Sequence, residues 1–326
     1  MRELTVTSRD AGQRLDKYLN KYLNKAPRSL IYRMLRKKNI KLNGKKASGP
    51  EILAEQDHIQ LFLAEETING WMETVRLTAS RYPDILYEDE HIVVLNKPEG
   101  LLTQRAAPQD ESLVDQLLYY LADQGQYDPG GSGCKPSVCN RLDRNTSGLV
   151  LAGKDQPGLQ FLSKLLRDRE LDKYYLCLVA GSFIKSIRLQ GYLKKDRQGN
   201  RAVPTDGECQ GADFVDTEFE PVVQGGRCSL VRVRLITGKS HQIRSQIAAA
   251  GYPVVGDPKY GDKNVNQEFR NLYGLRCQLL HSAEVVFPKC PEPFSYLSES
   301  RVRAPLPKQF AKVLKGEHIY VEGNYD

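Results

Sequence analysis

Two polar islands hold the side chains best able to do chemistry. The first is Asn140-Arg141-Leu142-Asp143-Arg144-Asn145-Thr146-Ser147-Gly148-Leu149. Its carboxylate stands between two arginines, in a turn that ends in Thr-Ser-Gly and feeds an apolar run. Neighbouring cations keep such a carboxylate ionised and aimed, which suits a nucleophile or a base. The same spacing fits an ion pair that only closes a turn. The second island is Thr237-Gly238-Lys239-Ser240-His241-Gln242-Ile243-Arg244, a polar loop opening a helix. A helix start offers free N–H groups to a phosphate, and Arg244 offers a fork to a carboxylate. His241 fits a structural histidine as well as a general base. Neither island by itself names a reaction.

Other chemistries lack their signatures. There is no strand–GxGxxG–helix unit, no GxxxxGK[ST] and no HExxH, so nucleotide-driven and zinc-hydrolase mechanisms have no support. The seven cysteines (134, 139, 177, 209, 228, 277 and 290) are odd in number and nowhere form CxxC. That pattern suits reduced thiols rather than a disulfide framework or a zinc set, and no metal is expected. The longest uncharged near-apolar stretch, 174–184, is too short to cross a bilayer. MRELTVTSRD lacks the apolar run of a secretory leader. With 40% hydrophobic and 27% charged residues, the expectation is a soluble cytoplasmic protein with no membrane partner.

The islands need a scaffold, and the pattern around them predicts one of mixed type. Ile85–Tyr87 and His91–Leu95 read as two strands about a tight turn. Ser112 suits the cap of a helix carrying Leu113, Leu117, Leu118 and Leu121. Gly130–Gly133 reads as a loop, 149–152 as a strand and 158–166 as a helix. Further strands are expected at 174–179, 229–235 and 284–287. A helix over 242–250 should stop at Gly251. The sum is an α+β domain with a largely antiparallel sheet over residues 83–326.

Charge divides the chain. Residues 1–50 hold fourteen Lys or Arg and three Asp or Glu, whereas the whole 326 residues hold 47 and 40. The basicity belongs to one end, the mark of a polyanion-binding module attached to something else. This end is patterned, not disordered. Leu15, Tyr18, Leu19, Tyr22 and Leu23 recur at helical spacing, and Leu30, Ile31, Met34 and Leu35 line one face of a second helix. Arg28, Arg33, Arg36, Lys37 and Lys38 fall on its other face and end. Ile40-Lys41-Leu42, the Asn43-Gly44 turn, Lys45-Lys46 and a closing run at 58–63 complete a small sheet. Residues 66–82 read as a linker, with Trp71 packing at the junction.

From RLDKYL through MLRKKNIKLNG to the 58–63 strand, this order of elements resembles the small RNA-binding domain named after the fourth small-subunit ribosomal protein. The resemblance implies that residues 1–65 contact structured RNA through Arg28, Arg33, Arg36, Lys37, Lys38, Lys41 and Lys45. Phosphate contacts of that kind give affinity and register but little sequence information.

The larger domain has a resemblance of its own. NRLDRNTSGL, then Lys173-Tyr174-Tyr175-Leu176-Cys177, then TGKSHQIRSQ resemble, in that order, the RluA family of RNA pseudouridine synthases. Leu95-Asn96-Lys97-Pro98-Glu99-Gly100, Gly256-Asp257-Pro258-Lys259-Tyr260-Gly261 and Gln278-Leu279-Leu280-His281-Ser282 extend the likeness over residues 83–300. It implies isomerisation of uridine to pseudouridine without a cofactor, by breaking the N-glycosidic bond, rotating the uracil and rejoining it through carbon. Asp143 matches the catalytic aspartate, acting on either the uracil ring or the anomeric carbon. Tyr175 matches the tyrosine that packs on the base, and Arg244 the arginine that pairs with the carboxylate. Leu280 matches the apolar residue shaping the pocket. Arg141 and His241 are then placed to hold phosphate or loop backbone.

Some positions depart from the family pattern. Asn140 replaces a frequent histidine, Cys177 a common alanine, and Lys239-Ser240 the usual Arg-Thr, while Asp143, Tyr175 and Arg244 stand. The expected substrate is large-subunit (23S) ribosomal RNA, the expected state a monomer with no obligate protein partner. Transfer RNA is the competing substrate of the same family. A non-catalytic ribosome-assembly factor is the more distant alternative.

Overall fold

The computed structural model describes residues 1–72, 77, 79–129, 133–196, 201–205 and 207–320. Most of the glycine loop expected at 130–133 and part of the 66–82 stretch lie outside the described residues.

The basic end folds around its own core. It comprises β1 (Arg2–Thr5), α1 (Leu15–Tyr22), α2 (Arg28–Arg36), β2 (Ile40–Leu42), β3 (Lys45–Lys46) and β4 (His58–Leu61), with the strands in the order β1-β4-β2-β3. Leu15, Tyr18, Leu19, Ile31 and Leu35 are buried against Ile40, Ile59 and Leu61, as their spacing requires. Asn43 and Gly44 take φ +50° and +72°, the left-handed pair of a type I′ turn, and so join β2 to β3. Two elements are absent from the sequence reading. The four residues of β1 show no buried apolar alternation. The helix α3 (Glu65–Gly70) buries Ile68 alone among its residues, too little to mark a period in the stretch read as a linker. Trp71 and Met72 pack on this same small core.

The rest of the chain builds a sheet of eleven strands. A hairpin, β5 (Asp84–Glu88) and β6 (Ile92–Lys97), precedes α4 (Leu113–Asp123), which Ser112 and Asp115 cap reciprocally. Then come β7 (Ser137–Val138), β8 (Ser147–Gly153), α5 (Gln156–Arg167) and β9 (Asp172–Ala180). An extension follows: β10 (Ile187–Asp196), β11 (Arg201–Thr205), β12 (Ala212–Gln224) and β13 (Cys228–Leu235). The chain closes with α6 (Gln242–Ala249), α7 (Lys263–Tyr273), β14 (Leu280–Val286), β15 (Arg301–Arg303) and α8 (Lys308–Gly316). The main order is β11-β10-β12-β13-β9-β14-β8-β6-β5, antiparallel except where β14 runs parallel to β8. The expected α+β class and antiparallel sheet are therefore observed. The extension β10 to β12, and the helices α7 and α8, had no expectation. Along β10 Ile187, Leu189 and Leu193 do alternate with polar residues, but Gly191 interrupts the apolar run and only Leu193 is buried.

Alternation along the central strands splits the interior. Val93, Leu95, Tyr175, Cys177, Val231 and Val233 face a core shared with α4 and α6. Ile92, Val94, Leu149 and Leu151 face α5, while Leu176, Leu178 and Leu230 face α7 and α8. Each fully buried Leu or Val contributes about 1.5–3 kcal/mol, so the central strands form the rigid floor on which the polar islands stand. The two folded units meet along a polar seam. Gln156 N–H donates to the Arg9 carbonyl (2.9 Å), Gln160 Nε2 to that of Gly12 (3.0 Å) and Arg9 Nη1 to that of Gln126 (2.8 Å). No helix among the described residues is long and apolar enough to cross a membrane.

Candidate active site

The loop bearing Asp143 enters β8, and main-chain contacts on both sides fix it. Thr103 Oγ1 donates to the Leu142 carbonyl (2.8 Å) and accepts from the Leu142 N–H (3.1 Å). Lys97 Nζ donates to the carbonyls of Arg144 (2.9 Å), Leu101 (2.7 Å) and Pro98 (2.8 Å). Gly100 N–H adds a second donor to Arg144 (2.9 Å), and Thr146 N–H turns back onto the Asp143 carbonyl (3.0 Å). Asn140 acts at the loop's other end, its Oδ1 accepting from Leu151 N–H on β8 (2.7 Å). Directly after the loop, Gly148 has φ +104°, and a Cβ there would overlap the carbonyl of Ser282. Only glycine lets β8 and β14 approach this closely.

The charge partner of Asp143 is not one of its sequence neighbours. Arg141 and Arg144 are exposed, whereas Arg244 Nη1, from α6, reaches Asp143 Oδ2 at 2.7 Å. Arg244 is itself buried and bound at its other end by Asp257, Nε to Oδ2 at 2.6 Å and Nη2 to Oδ1 at 2.8 Å. The Asp257 side chain is fully buried, which alone would raise its pKa. The hydrogen bonds and charge of Arg244 outweigh this and hold the carboxyl below its usual range. The Lys259 and Tyr260 N–H groups also donate to it. One arginine thus bridges a fixed buried carboxylate and a second, 27% exposed one that faces open space.

Tyr175 and Leu280 meet beside this pair. Strands β9 and β14 are neighbours, Leu280 lies opposite Cys177, and both Tyr175 and Leu280 belong to the buried cluster that includes Leu142 and Ile243. Tyr174 faces the other way, under the guanidinium of Arg232 at 3.9 Å. Burial pushes the Tyr175 hydroxyl up to about 12, against a hydrogen bond from its Ser282 contact, so it carries its proton at neutral pH. Burial likewise pushes Lys97 down to about 8, with the charges of Asp143 and Glu99 opposing. His241 takes φ +57° at the cap of α6, its Nδ1 2.9 Å from Tyr260 Oη and its Nε2 3.8 Å from Asp143 Oδ2. Burial lowers its pKa, so the ring is neutral at pH 7.

The residues expected to bind RNA lie elsewhere, on α2, the turn after it and the β2–β3 hairpin. Arg28, Arg33, Arg36, Lys37, Lys38 and Lys45 are all exposed and, among the described residues, form no ion pair. Lys41 is half-buried, its ammonium 4.9 Å from the centre of the Phe62 ring. Four residues of the site carried no role in the sequence reading: Lys97, Thr103, Asp257 and Tyr260. Three of them sit in the Leu95–Gly100 and Gly256–Gly261 motifs, so the signal was present without a function attached.

Comparison with known proteins places this geometry. Residues 91–249 match the family model for RNA pseudouridylate synthase. The chain is 30% identical over 319 residues to ribosomal large subunit pseudouridine synthase C of Salmonella typhi, covering 96% of this chain and 95% of that one. It is 30% identical over 291 residues to the enzyme of the same name from Escherichia coli strain K12, covering 87% and 88%. Among solved structures, human RNA pseudouridylate synthase domain containing 4 superposes with a TM-score of 0.58 at 22% identity, over 72% of this chain and 93% of that one, a likeness of fold. The sequence likeness runs nearly end to end, and the family model spans the loop, strand and helix that hold Asp143, Tyr175 and Arg244. The chain belongs to the RNA pseudouridylate synthases.

Proposed function

We propose that this enzyme converts particular uridines of large-subunit ribosomal RNA to pseudouridine, with Asp143 as the reacting carboxylate. The observation that carries this reading is the pairing of Asp143 with Arg244, brought together across 101 residues beside the buried Tyr175 and Leu280. The reaction is an isomerisation. The bond from C1′ to N1 breaks, a bond from C1′ to C5 forms, the proton leaves C5, and N1 ends protonated. No electrons or atoms are exchanged with a second reactant, so the balance calls for no cofactor. Arg244 holds one oxygen of Asp143, and the carboxylate acts at the uracil ring or at C1′. Leu280 and the Tyr175 ring supply an apolar wall against which a base can lie. Because the Tyr175 hydroxyl is protonated at rest, its role in removing the C5 proton requires a base to take its own proton first.

Ribosomal RNA is favoured over transfer RNA by the relatives that carry the same name along nearly their whole length. The N-terminal unit, residues 1–65, is assigned to RNA docking through its exposed basic helix. The enzyme works in the cytoplasm as a monomer. The test is Asp143→Asn, which keeps the shape of the side chain and removes the anion. It should abolish tritium release from ribosomal RNA labelled at C5 of uridine while RNA binding changes less than about twofold. Wild-type release by the variant would sink the assignment. Mapping pseudouridines in ribosomal and transfer RNA from cells lacking the gene decides the substrate.

A further inference from the structure

Tyr260 and His241 form a chain of contacts that ends on the reacting carboxylate, and its direction can be read from the donors. The N–H of Ala202, on the edge strand β11, donates to Tyr260 Oη at 2.6 Å. A backbone N–H can only donate, so the tyrosine oxygen is an acceptor there and its own proton is free to go elsewhere. The next polar atom is His241 Nδ1, at 2.9 Å. At the far side of the same ring, Nε2 faces Asp143 Oδ2 at 3.8 Å. Both ends agree. A hydroxyl that donates to Nδ1 places the ring proton on Nε2, and a carboxylate beside Nε2 favours the proton there. The opposite tautomer would aim a lone pair at an anion.

We propose that Tyr260 is a positioning residue that fixes His241 as its Nε2–H tautomer, so that Arg244 and His241 together hold Asp143 Oδ2 and leave Oδ1 to meet the uridine. This rests on the reading of Asp143 as the reacting group. The rest of the surroundings fit the role. No described donor contacts Asp143 Oδ1, whereas Oδ2 has Arg244 at 2.7 Å and the imidazole behind it. The Tyr260 ring has the guanidinium carbons of Arg201 and Arg244 at 5.8 and 5.3 Å from its centre, and stands edge-on to the His241 ring at 80°. Its N–H is anchored on Asp257 at 3.1 Å, the carboxylate that also holds Arg244. The left-handed backbone of His241 is uncommon for a residue with a side chain, and such conformations persist where the surroundings require them. At 3.8 Å the imidazole is beyond a hydrogen bond in the free enzyme, and the contact tightens when Asp143 engages a base.

Two measurements on the full chain test this. Long-range nitrogen–proton correlation spectra report which ring nitrogen is protonated, the His241 signals being identified by their loss in His241→Gln. Wild type should show Nε2 protonated and Nδ1 bare, and Tyr260→Phe should show a mixture. A wild-type ring protonated at Nδ1 would overturn the proposal. The second measurement is single-turnover tritium release. Tyr260→Phe, which keeps the ring beside the two arginines, should slow release by roughly tenfold with RNA affinity unchanged within about twofold. His241→Gln carries an amide N–H in place of Nε2 and has no tautomer to fix. It should retain more activity than His241→Leu, and Tyr260→Phe added to it should cost less than about twofold. Equal losses from Tyr260→Phe in both backgrounds would show a merely structural tyrosine and sink the proposal. The two arms also separate the failures. If wild type released no tritium from ribosomal RNA, the functional reading would fall while the spectra still decided the tautomer.

Discussion

Lys97 has three carbonyl acceptors around one ammonium, and the arrangement depends on its charge. A protonated amine has three N–H donors for Pro98, Leu101 and Arg144, whereas a neutral one has two. Burial pushes its pKa down to about 8, so the clamp on the Asp143 loop titrates just above neutrality. The effects on stability and on activity have opposite signs. Between about pH 8 and the ordinary lysine value, the unfolded chain binds this proton and the folded chain does not, so this group's contribution to stability rises with pH. Activity should fall over the same step, with a midpoint near pH 8, because one of the three carbonyls that hold the Asp143 loop loses a donor. Single-turnover rates and thermal melts across pH 6.5–9.5 check both signs, and a flat rate profile would remove Lys97 from the account. At this scale the sequence was only half legible. Asp143 and Arg244 could be picked out by type and motif, but the charge credited to Arg141 and Arg144 comes from a guanidinium on another element. Adjacency along a turn does not set where a long side chain points. Asp257 and Tyr260 went without a role because a residue that acts through another carries no chemistry of its own to advertise.

Among the elements, the junction of β8 and β14 bears most directly on the site. The two strands pair in parallel at Ser147–His281 and Gly148–Ser282, which brings the end of the Asp143 loop against the strand bearing Leu280. His281 is fully buried there and bonded to Ser147 Oγ at 2.9 Å, with burial pushing its pKa down to about 4. Gly148→Ala introduces both a steric overlap and a positive-φ strain, and should destabilise the protein by about 3 kcal/mol. A fall in Tm of several degrees, with activity lost at temperatures where the fold survives, is the expected result. An unchanged Tm would show that the strands part without cost. Strands with one apolar face, such as β6, β9 and β13, were readable because burial imposes a period of two. The extension β10 to β12 was not, because Gly191 interrupts the alternation of Ile187, Leu189 and Leu193 and polar Asp216 and Thr217 lie between the buried Val215 and Phe219. The helices α7 and α8 escaped for a related reason: α7 buries only Phe269 completely, and a single anchor leaves no period to detect.

Over the whole molecule, the exposed basic helix and the Asp143 site belong to different folded units. The exposed arginines and lysines of α2 and the turn after it present cations that no described acidic group neutralises, so they are available to phosphates. If about six of them displace counterions, log affinity for ribosomal RNA should fall with log salt at a slope of about −4 to −5. Replacing Arg33, Arg36, Lys37, Lys38, Lys41 and Lys45 by glutamine in the full chain should flatten that slope and leave the rate at saturating RNA unchanged. An unaltered slope would assign the phosphate contacts to the larger sheet. The larger unit imposes a constraint of another kind. The Asp143 loop is pinned through the main chain at Leu142, Arg144 and Thr146, so on the proposed reading the carboxylate does not follow a uracil into its helix. The nucleotide has to swing out to the protein, and the unstacking, a few kcal/mol, is charged to the RNA. Uridines already unpaired cost least to extrude. In two hairpins matched in sequence around the target, a loop uridine should react more than about tenfold faster than a paired one in a single turnover. Site choice would then begin in the RNA, as the ease with which each uridine leaves its helix, before any base is touched.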